Sequence, residues 1–392
     1  MKTIDYCISI LSNHIYGKKS NAPKDSIRWD KLIKYFKCHE LTGILYYQCK
    51  DYIPDEFRKK LEEQYASLVY YYNNRVWMEK KLFEMLDENH INGFTIKGLE
   101  VAKYYPVPSL RTMGDTDIVV KPEDREKVHE LLLSRGYVSH SKLADREWQY
   151  FYNNMEVELH DRLIYQELTN DKLCDDFFNG FNKYVSDGTL DLNFHFLFLI
   201  YHIRKHFMNR GVGFRHFYDI AVLTKNNGEL NWQWIKEKLI ELNMWEFAQR
   251  ILFLNKYWFG INPPLDIKSF DKAFSHDATK YIFENGVFGF DNQKNNSMHA
   301  INSIRKKQKH NYGIRRMNNL LFPSYKIMCQ SNDYAFLKNR RYLLPVAWMY
   351  RFARAIKYKK AKKNMRLTIE TSFVSKKSIQ ERAEVLKEWG LE

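Results

Sequence analysis

Residues 96–120 read IKGLEVAKYYPVPSLRTMGDTDIVV, and the fold turns on the pair Asp115 and Asp117 near the end of that stretch. Thr116 is β-branched and Ile118-Val119-Val120 is strongly strand-forming, so the segment after Gly114 predicts a strand that begins at the pair. Alternation along a strand places both carboxylates on one side, close together. Like charges held that way repel, and a cation between them removes the conflict. Carboxylate oxygens are the ligands that a hard divalent ion such as Mg2+ takes.

Downstream, a helix is predicted over 122–135, followed by Gly136-Tyr137-Val138 and then by MEVELH at 155–160. That run alternates Met155, Val157 and Leu159 with Glu156, Glu158 and His160, the period-two pattern of a half-buried strand. Its polar face offers a third carboxylate, from either Glu156 or Glu158. His160 shares the face, either to orient a carboxylate or to cap the strand.

Upstream, Asn92-Gly93 signals a turn, Phe94-Thr95-Ile96 a short strand, and Lys97-Gly98 the opening of a helix that Pro106 and Pro108 stop. A glycine lets backbone approach a ligand closely, and a helix start offers N–H groups to phosphate oxygens. Lys97 adds a point charge for a triphosphate; the alternative is a plain strand-to-helix turn with a surface lysine. Arg111 either neutralises Asp115 or contacts a nucleotide.

A glycine turn, Asp-x-Asp at the head of a strand and an acidic residue in a later strand together resemble the nucleotidyltransferase superfamily that includes DNA polymerase beta. More narrowly, the chain resembles a bacterial family of uncharacterised nucleotidyltransferases. The residues that carry this are Lys97-Gly98, Tyr104-Tyr105, Arg111, Asp115-Thr116-Asp117 and Glu158-Leu159-His160. Trp29-Asp30, His39 and Ile44-Leu45-Tyr46-Tyr47 extend it upstream, and His202, His206, Arg215 and Asp219 extend it downstream.

The resemblance implies an α+β fold, a small mixed-sheet core flanked by N-terminal and C-terminal helical domains. It implies Mg2+- or Mn2+-dependent transfer of a nucleoside monophosphate from a nucleoside triphosphate, ATP by default, to a hydroxyl-bearing acceptor with release of pyrophosphate. Asp115, Asp117 and Glu158 are then the catalytic metal ligands, with Glu156 as the alternative third, and Lys97, Gly98 and Arg111 bind the nucleotide. The acceptor is left open among a small molecule, a saccharide, a protein side chain and an RNA end. Two rival readings stand beside this one: a sugar-nucleotide glycosyltransferase, which also uses Asp-x-Asp with a metal, and a non-catalytic protein that binds anionic surfaces or nucleic acid.

Composition narrows the frame. The 392 residues are 45% apolar and 16% aromatic, as in a globular protein with a substantial core. The longest apolar stretch, around 194–200, is interrupted by His195 and falls far short of the ~20 residues of a bilayer span. The start, MKTIDYCISILSNH, lacks the apolar core of a signal peptide, and five scattered cysteines without a CxxC suit reduced thiols. A cytoplasmic protein is expected. The net charge of +15 is concentrated: 301–366 hold 18 Lys and Arg against one acid, Asp333, so that region is read as a peripheral contact for an anionic inner membrane face or a polyanion.

Organisation is read as an N-terminal helical region (1–90), the nucleotidyltransferase α/β core (91–165), a helical bundle on the acceptor side (166–262) and a basic, mostly helical C-terminal region (263–392). Tyr70, Tyr71 and Tyr72 are taken as buried helix packing rather than as a platform for a base. His195, His202 and His206 share one helical face. Histidines four apart can bind zinc, but no HExxH glutamate or nearby cysteine accompanies them, so His202 and His206 are read as structural or as acceptor or phosphate contacts. Arg215 and Asp219, also four apart, are read as an ordinary helix pair that helps to shape the acceptor pocket, and a polar loop is expected at 292–297.

Overall fold

Apolar and polar residues alternate along Met155–His160, and the sheet that this strand joins divides its two faces accordingly. The computed structural model describes residues 2–24, 26–142, 148–165, 171–209, 211–285, 321–329, 332–337, 340–357 and 376–391. Helices α1 (Lys2–Ile15), α2 (Trp29–Cys38), α3 (Thr42–Cys49) and α4 (Asp55–Glu88) lead to strand β1 (Gly93–Ile96). The short helix α5 (Gly98–Ala102) precedes β2 (Asp115–Val120), and α6 (Arg125–Ser134) precedes β3 (Val138–Lys142), β4 (Trp148–Tyr152) and β5 (Met155–His160).

The five strands lie in the order β1-β2-β5-β4-β3. The central pair, β2 and β5, is parallel and its neighbours are antiparallel, so the sheet is mixed. One face carries Ile118, Val120, Val157 and Leu159 into a core with Met78, Leu82 and Leu86 of α4 and Val128 and Leu132 of α6. Burying an aliphatic side chain of this size stabilises by roughly 1.5–3 kcal/mol, which fixes the register because a one-residue slip would reverse every side chain. The polar residues are thereby committed to the opposite face.

After the sheet come α7 (Lys172–Asn179), α8 (Leu192–Asn209), α9 (Phe214–Lys225), α10 (Trp232–Glu241), α11 (Trp245–Phe259) and α12 (Lys272–Asn285). The chain forms two compact units. One comprises Met1–Phe207 with Gly211–Phe288 and holds the sheet, and the other comprises Met208–Arg210 with Gly289–Glu392. Within the second unit, Met328, Leu337 and Ala347 form a small core, and the helix Leu344–Lys357 leaves Val346, Met349 and Tyr350 exposed. The polar loop expected at 292–297 and the basic stretches 301–320 and 358–366 lie outside the described residues. Among the described residues, no helix is long and apolar enough to cross a membrane.

One packing expectation is corrected. Tyr70 and Tyr71 are 66% and 55% exposed rather than buried. Helix α4 is one continuous element of 34 residues, and its buried stripe runs through Leu61, Arg75, Met78, Glu79, Leu82, Met85 and Leu86. The two tyrosines fall off that stripe, and their rings meet each other edge to face.

Candidate active site

The parallel register sets Asp115 opposite Glu156 and Asp117 opposite Glu158. Partners in a ladder project to the same side, so four carboxylates and His160 share the face turned away from the α4–α6 core. Ligand atoms of Asp117, Glu158 and His160 converge within 4.8 Å of one another. Asp115 falls outside that group but remains its electrostatic neighbour, as does Glu156.

Hydrogen bonds fix the cluster. His160 Nε2 lies 3.1 Å from Asp117 Oδ1 and 3.6 Å from Glu158 Oε2, so the imidazole bridges the two carboxylates. Gln149 Nε2 donates to Glu158 Oε1 at 3.0 Å from the adjacent strand β4. Lys97 Nζ donates to both oxygens of Asp117, at 3.0 and 3.1 Å. Burial alone would raise the carboxyl pKa of Asp117, but Lys97 and His160 reverse that and hold it well below the usual range. Burial works against a charged His160 as well, yet its bonds to the two carboxylates push it up to about 9. Asp115 moves the other way, raised by burial and by the negative charge of Asp117.

The cations come from the turn before the site. Lys97 adopts φ 58° and ψ −111°, unusual for a residue with a Cβ, and its N–H donates to His195 Nε2 at 2.9 Å. The left-handed backbone at this turn therefore belongs to Lys97, whereas Gly98 opens α5. A Cβ added at Gly98 would meet nothing nearer than Met113 Sδ at 4.0 Å, and at Gly114 nothing within 4 Å. Neither packing nor backbone conformation in the protein calls for glycine at these two positions.

The head of β2 is pinned from behind. Arg75 of α4 donates to the carbonyls of Gly114 and Asp115 and, at 2.9 Å, to Thr116 Oγ1. A cavity of about 280 Å³ opens beside it, lined by Tyr71, Tyr72, Asn74, Arg75, Gly114 and Asn154 among others.

Several expected partnerships fall elsewhere. Arg111 pairs with Asp219, Nε to Oδ1 and Nη2 to Oδ2 at 2.9 Å each, both side chains buried. It also donates to Gly98 O at 3.0 Å, and Tyr105 Oη donates to Asp219 at 2.7 Å. Arg215 and Asp219 do not form a helix pair. Arg215 reaches Thr112 O at 2.6 Å and Glu40 at 2.7 Å, because both α9 residues face the loop ahead of β2 rather than each other. These contacts clamp that loop onto α9.

His202 and His206 stand together on α8, and His216 of α9 joins them, the three offering ligand atoms within 4.8 Å. Sequence reading passed over His216; the signal was Gly211-Val212-Gly213, the break that ends α8 and starts α9 just before His216. Burial, reinforced by neighbouring positive charge, drives the pKa values of His202 and His216 well below normal.

A model of the family described as uncharacterised nucleotidyltransferase matches residues 25–260. No curated protein and no solved structure matches the chain.

Proposed function

The chain belongs to the uncharacterised nucleotidyltransferase family, and from that membership we propose that it moves a nucleoside monophosphate from a nucleoside triphosphate, ATP by default, to a hydroxyl-bearing acceptor. The acceptor oxygen forms a bond to the α-phosphorus, the bond from that phosphorus to the bridging oxygen breaks, and pyrophosphate leaves with its electron pair.

The observation that carries the reading is the convergence of Asp117, Glu158 and His160 at the head of the parallel β2–β5 pair, with Asp115 beside them. The carboxylates of Asp117 and Glu158, with Asp115 beside them, suit a divalent ion, and the Lys97 ammonium and the His160 ring held on them mark the same spot as a place for positive charge. A bound Mg2+ or Mn2+ supplies charge neutralisation for the phosphates and a lowered pKa for the acceptor hydroxyl.

The chain's own groups do the positioning. Glu158, fixed by Gln149 and His160, points at Asp117 across the strand pair. Lys97 would turn to a phosphate oxygen once Asp117 engages a cation, and the open space around Gly98 and Gly114 would let a nucleotide approach the backbone. Arg111 serves this site through Gly98 O and Asp219, as a positioning residue.

The test is incubation of the protein with each labelled nucleoside triphosphate, Mg2+ or Mn2+ and a cell extract, with pyrophosphate as readout. Label transfer with pyrophosphate release that is lost in Asp115→Ala/Asp117→Ala supports the proposal. Undiminished nucleotide consumption by that double variant defeats it. With a sugar nucleotide supplied as the donor instead, metal-dependent release of a nucleoside phosphate without pyrophosphate would assign the site to glycosyl transfer.

A peripheral role for the C-terminal region draws on a separate feature. Val346, Met349 and Tyr350 are exposed on one helix, and Tyr342 just before it is 76% exposed, within a strongly basic stretch. Apolar side chains flanked by Lys and Arg suit the surface of an anionic membrane. Sedimentation with anionic vesicles, set against a mobility shift with nucleic acid, separates a lipid surface from a polyanion.

A further inference from the structure

Besides the carboxylate site, the bundle holds a second cluster of metal-ligating side chains that shares no residue with it. We propose that His202, His206 and His216 bind a transition-metal ion of the Zn2+ class, held by three imidazole nitrogens with one position open.

The geometry comes from two helices. His202 and His206 are four apart on α8 and therefore lie on one face, a turn apart. Their ring centroids are 4.3 Å apart, and His216 brings its own to 5.8 and 5.4 Å of them. Ligand atoms within 4.8 Å of one another leave a central ion about 2.8 Å from each at the widest, and small side-chain movements close that to the roughly 2.0–2.1 Å of a zinc–imidazole bond.

The chemistry fits a metal better than an anion. His216 Nδ1 donates to Gly213 O at 3.3 Å, which leaves Nε2 with its lone pair, as in metal-bound histidines whose other nitrogen bonds a backbone carbonyl. Three of the neighbouring cations are already engaged: Arg215 by Glu40, Arg111 by Asp219 and Lys97 by Asp117. An all-nitrogen donor set also selects Zn2+ over Mg2+, so the two clusters would sort different metals.

The experiment titrates Zn2+ into the metal-free full-length chain with Mg2+ in excess, and follows Co2+ as a spectroscopic substitute. The expected result is one tight equivalent, with the visible absorption of Co2+ in tetrahedral nitrogen coordination. His202→Gln and His206→Gln should each weaken binding beyond the roughly 10–100-fold that loss of an outer hydrogen-bond partner costs, and Asp117→Asn/Glu158→Gln should leave it unchanged. Both α8 histidines are partly exposed, so these variants read the result even where His216→Gln unfolds, and thermal melts confirm their folding. The proposal is overturned by the absence of saturable Zn2+ binding, by loss of binding in the carboxylate variant alone, or by saturable binding of inorganic phosphate at the histidines without Zn2+.

Discussion

The ammonium of Lys97 lies 3.0 and 3.1 Å from the two oxygens of Asp117, so one carboxylate of the proposed metal site already holds a cation. A divalent ion and Lys97 then compete for it. Lys97→Ala is expected to tighten Mn2+ binding by roughly tenfold, the equivalent of about 1.4 kcal/mol, because the competitor is gone. Turnover should fall by about 10²–10³-fold, since the charge for the leaving pyrophosphate goes with it. Calorimetry with Mn2+ checks the first half; weaker Mn2+ binding in the variant would show that Lys97 supports the cation rather than displacing it.

Glu156 and Glu158 share a strand face but only Glu158 reaches Asp117 and His160. Glu158→Gln should reduce turnover by roughly 10²–10³-fold or more, with its circular dichroism unchanged, whereas Glu156→Gln retains most of it. Equal losses in the two variants would move the third ligand toward the strand head.

Gly98 sits where a methyl group would touch only Met113 Sδ, at 4.0 Å. Gly98→Ala is therefore expected to leave stability unchanged or to raise it by about 0.4–1 kcal/mol through the unfolded chain. Its nucleotide KM should nevertheless rise, since the added Cβ fills the space kept for the ligand. A variant with raised stability and an unaltered KM would remove Gly98 from the site.

The sheet was legible because its pattern is local. Alternation in 155–160 and the β-branched run after Asp115 identified β5 and β2, and the period of two put their acids on one side. Their parallel pairing was not legible, because register depends on which residues α4 and α6 cover. The partners of Arg111 were hidden for a similar reason: Asp219 lies 108 positions away, and only the packing of α9 on the loop brings it near. Tyr70 and Tyr71 misled because a long helix buries different stripes along its length, and three consecutive tyrosines cannot all lie on one. His216 was missed because it belongs to another helix.

Arg111 and Asp219 form a buried two-bond pair that ties α9 to the loop carrying the acids. Losing one partner leaves the other charged and dry, so Asp219→Leu should cost about 3–5 kcal/mol, read from the urea midpoint. Arg111→Met/Asp219→Leu should recover much of that stability, because no charge is stranded. Activity should stay low in the double variant, as Gly98 O loses its donor. Full activity there would reduce the pair to a simple staple.

Stability should also depend on pH in a window set by buried neutral histidines. Burial pushes His14 and His39 down to about 4 and His195 to about 3. His39 and His195 accept backbone N–H bonds, from Phe214 and Lys97, that protonation would break. In the unfolded chain these groups titrate near 6.5. Between pH 6.5 and about 4 the unfolded state therefore binds protons that the folded state refuses, so stability falls as pH falls, by up to about 1.4 kcal/mol per pH unit for each group. Glu79, pushed up to about 7 by burial, works in the opposite direction but is one group against these histidines and the likewise lowered His202 and His216. His160, at about 9, strengthens the fold only as pH drops from 9 to 6.5 and adds no slope below that. The melting temperature should thus peak near pH 6.5–7 and decline on the acid side well before the ordinary carboxylates titrate. A melting temperature that holds constant from pH 6.5 to 4.5 would mean that these rings are hydrated and free to take up protons in the folded chain.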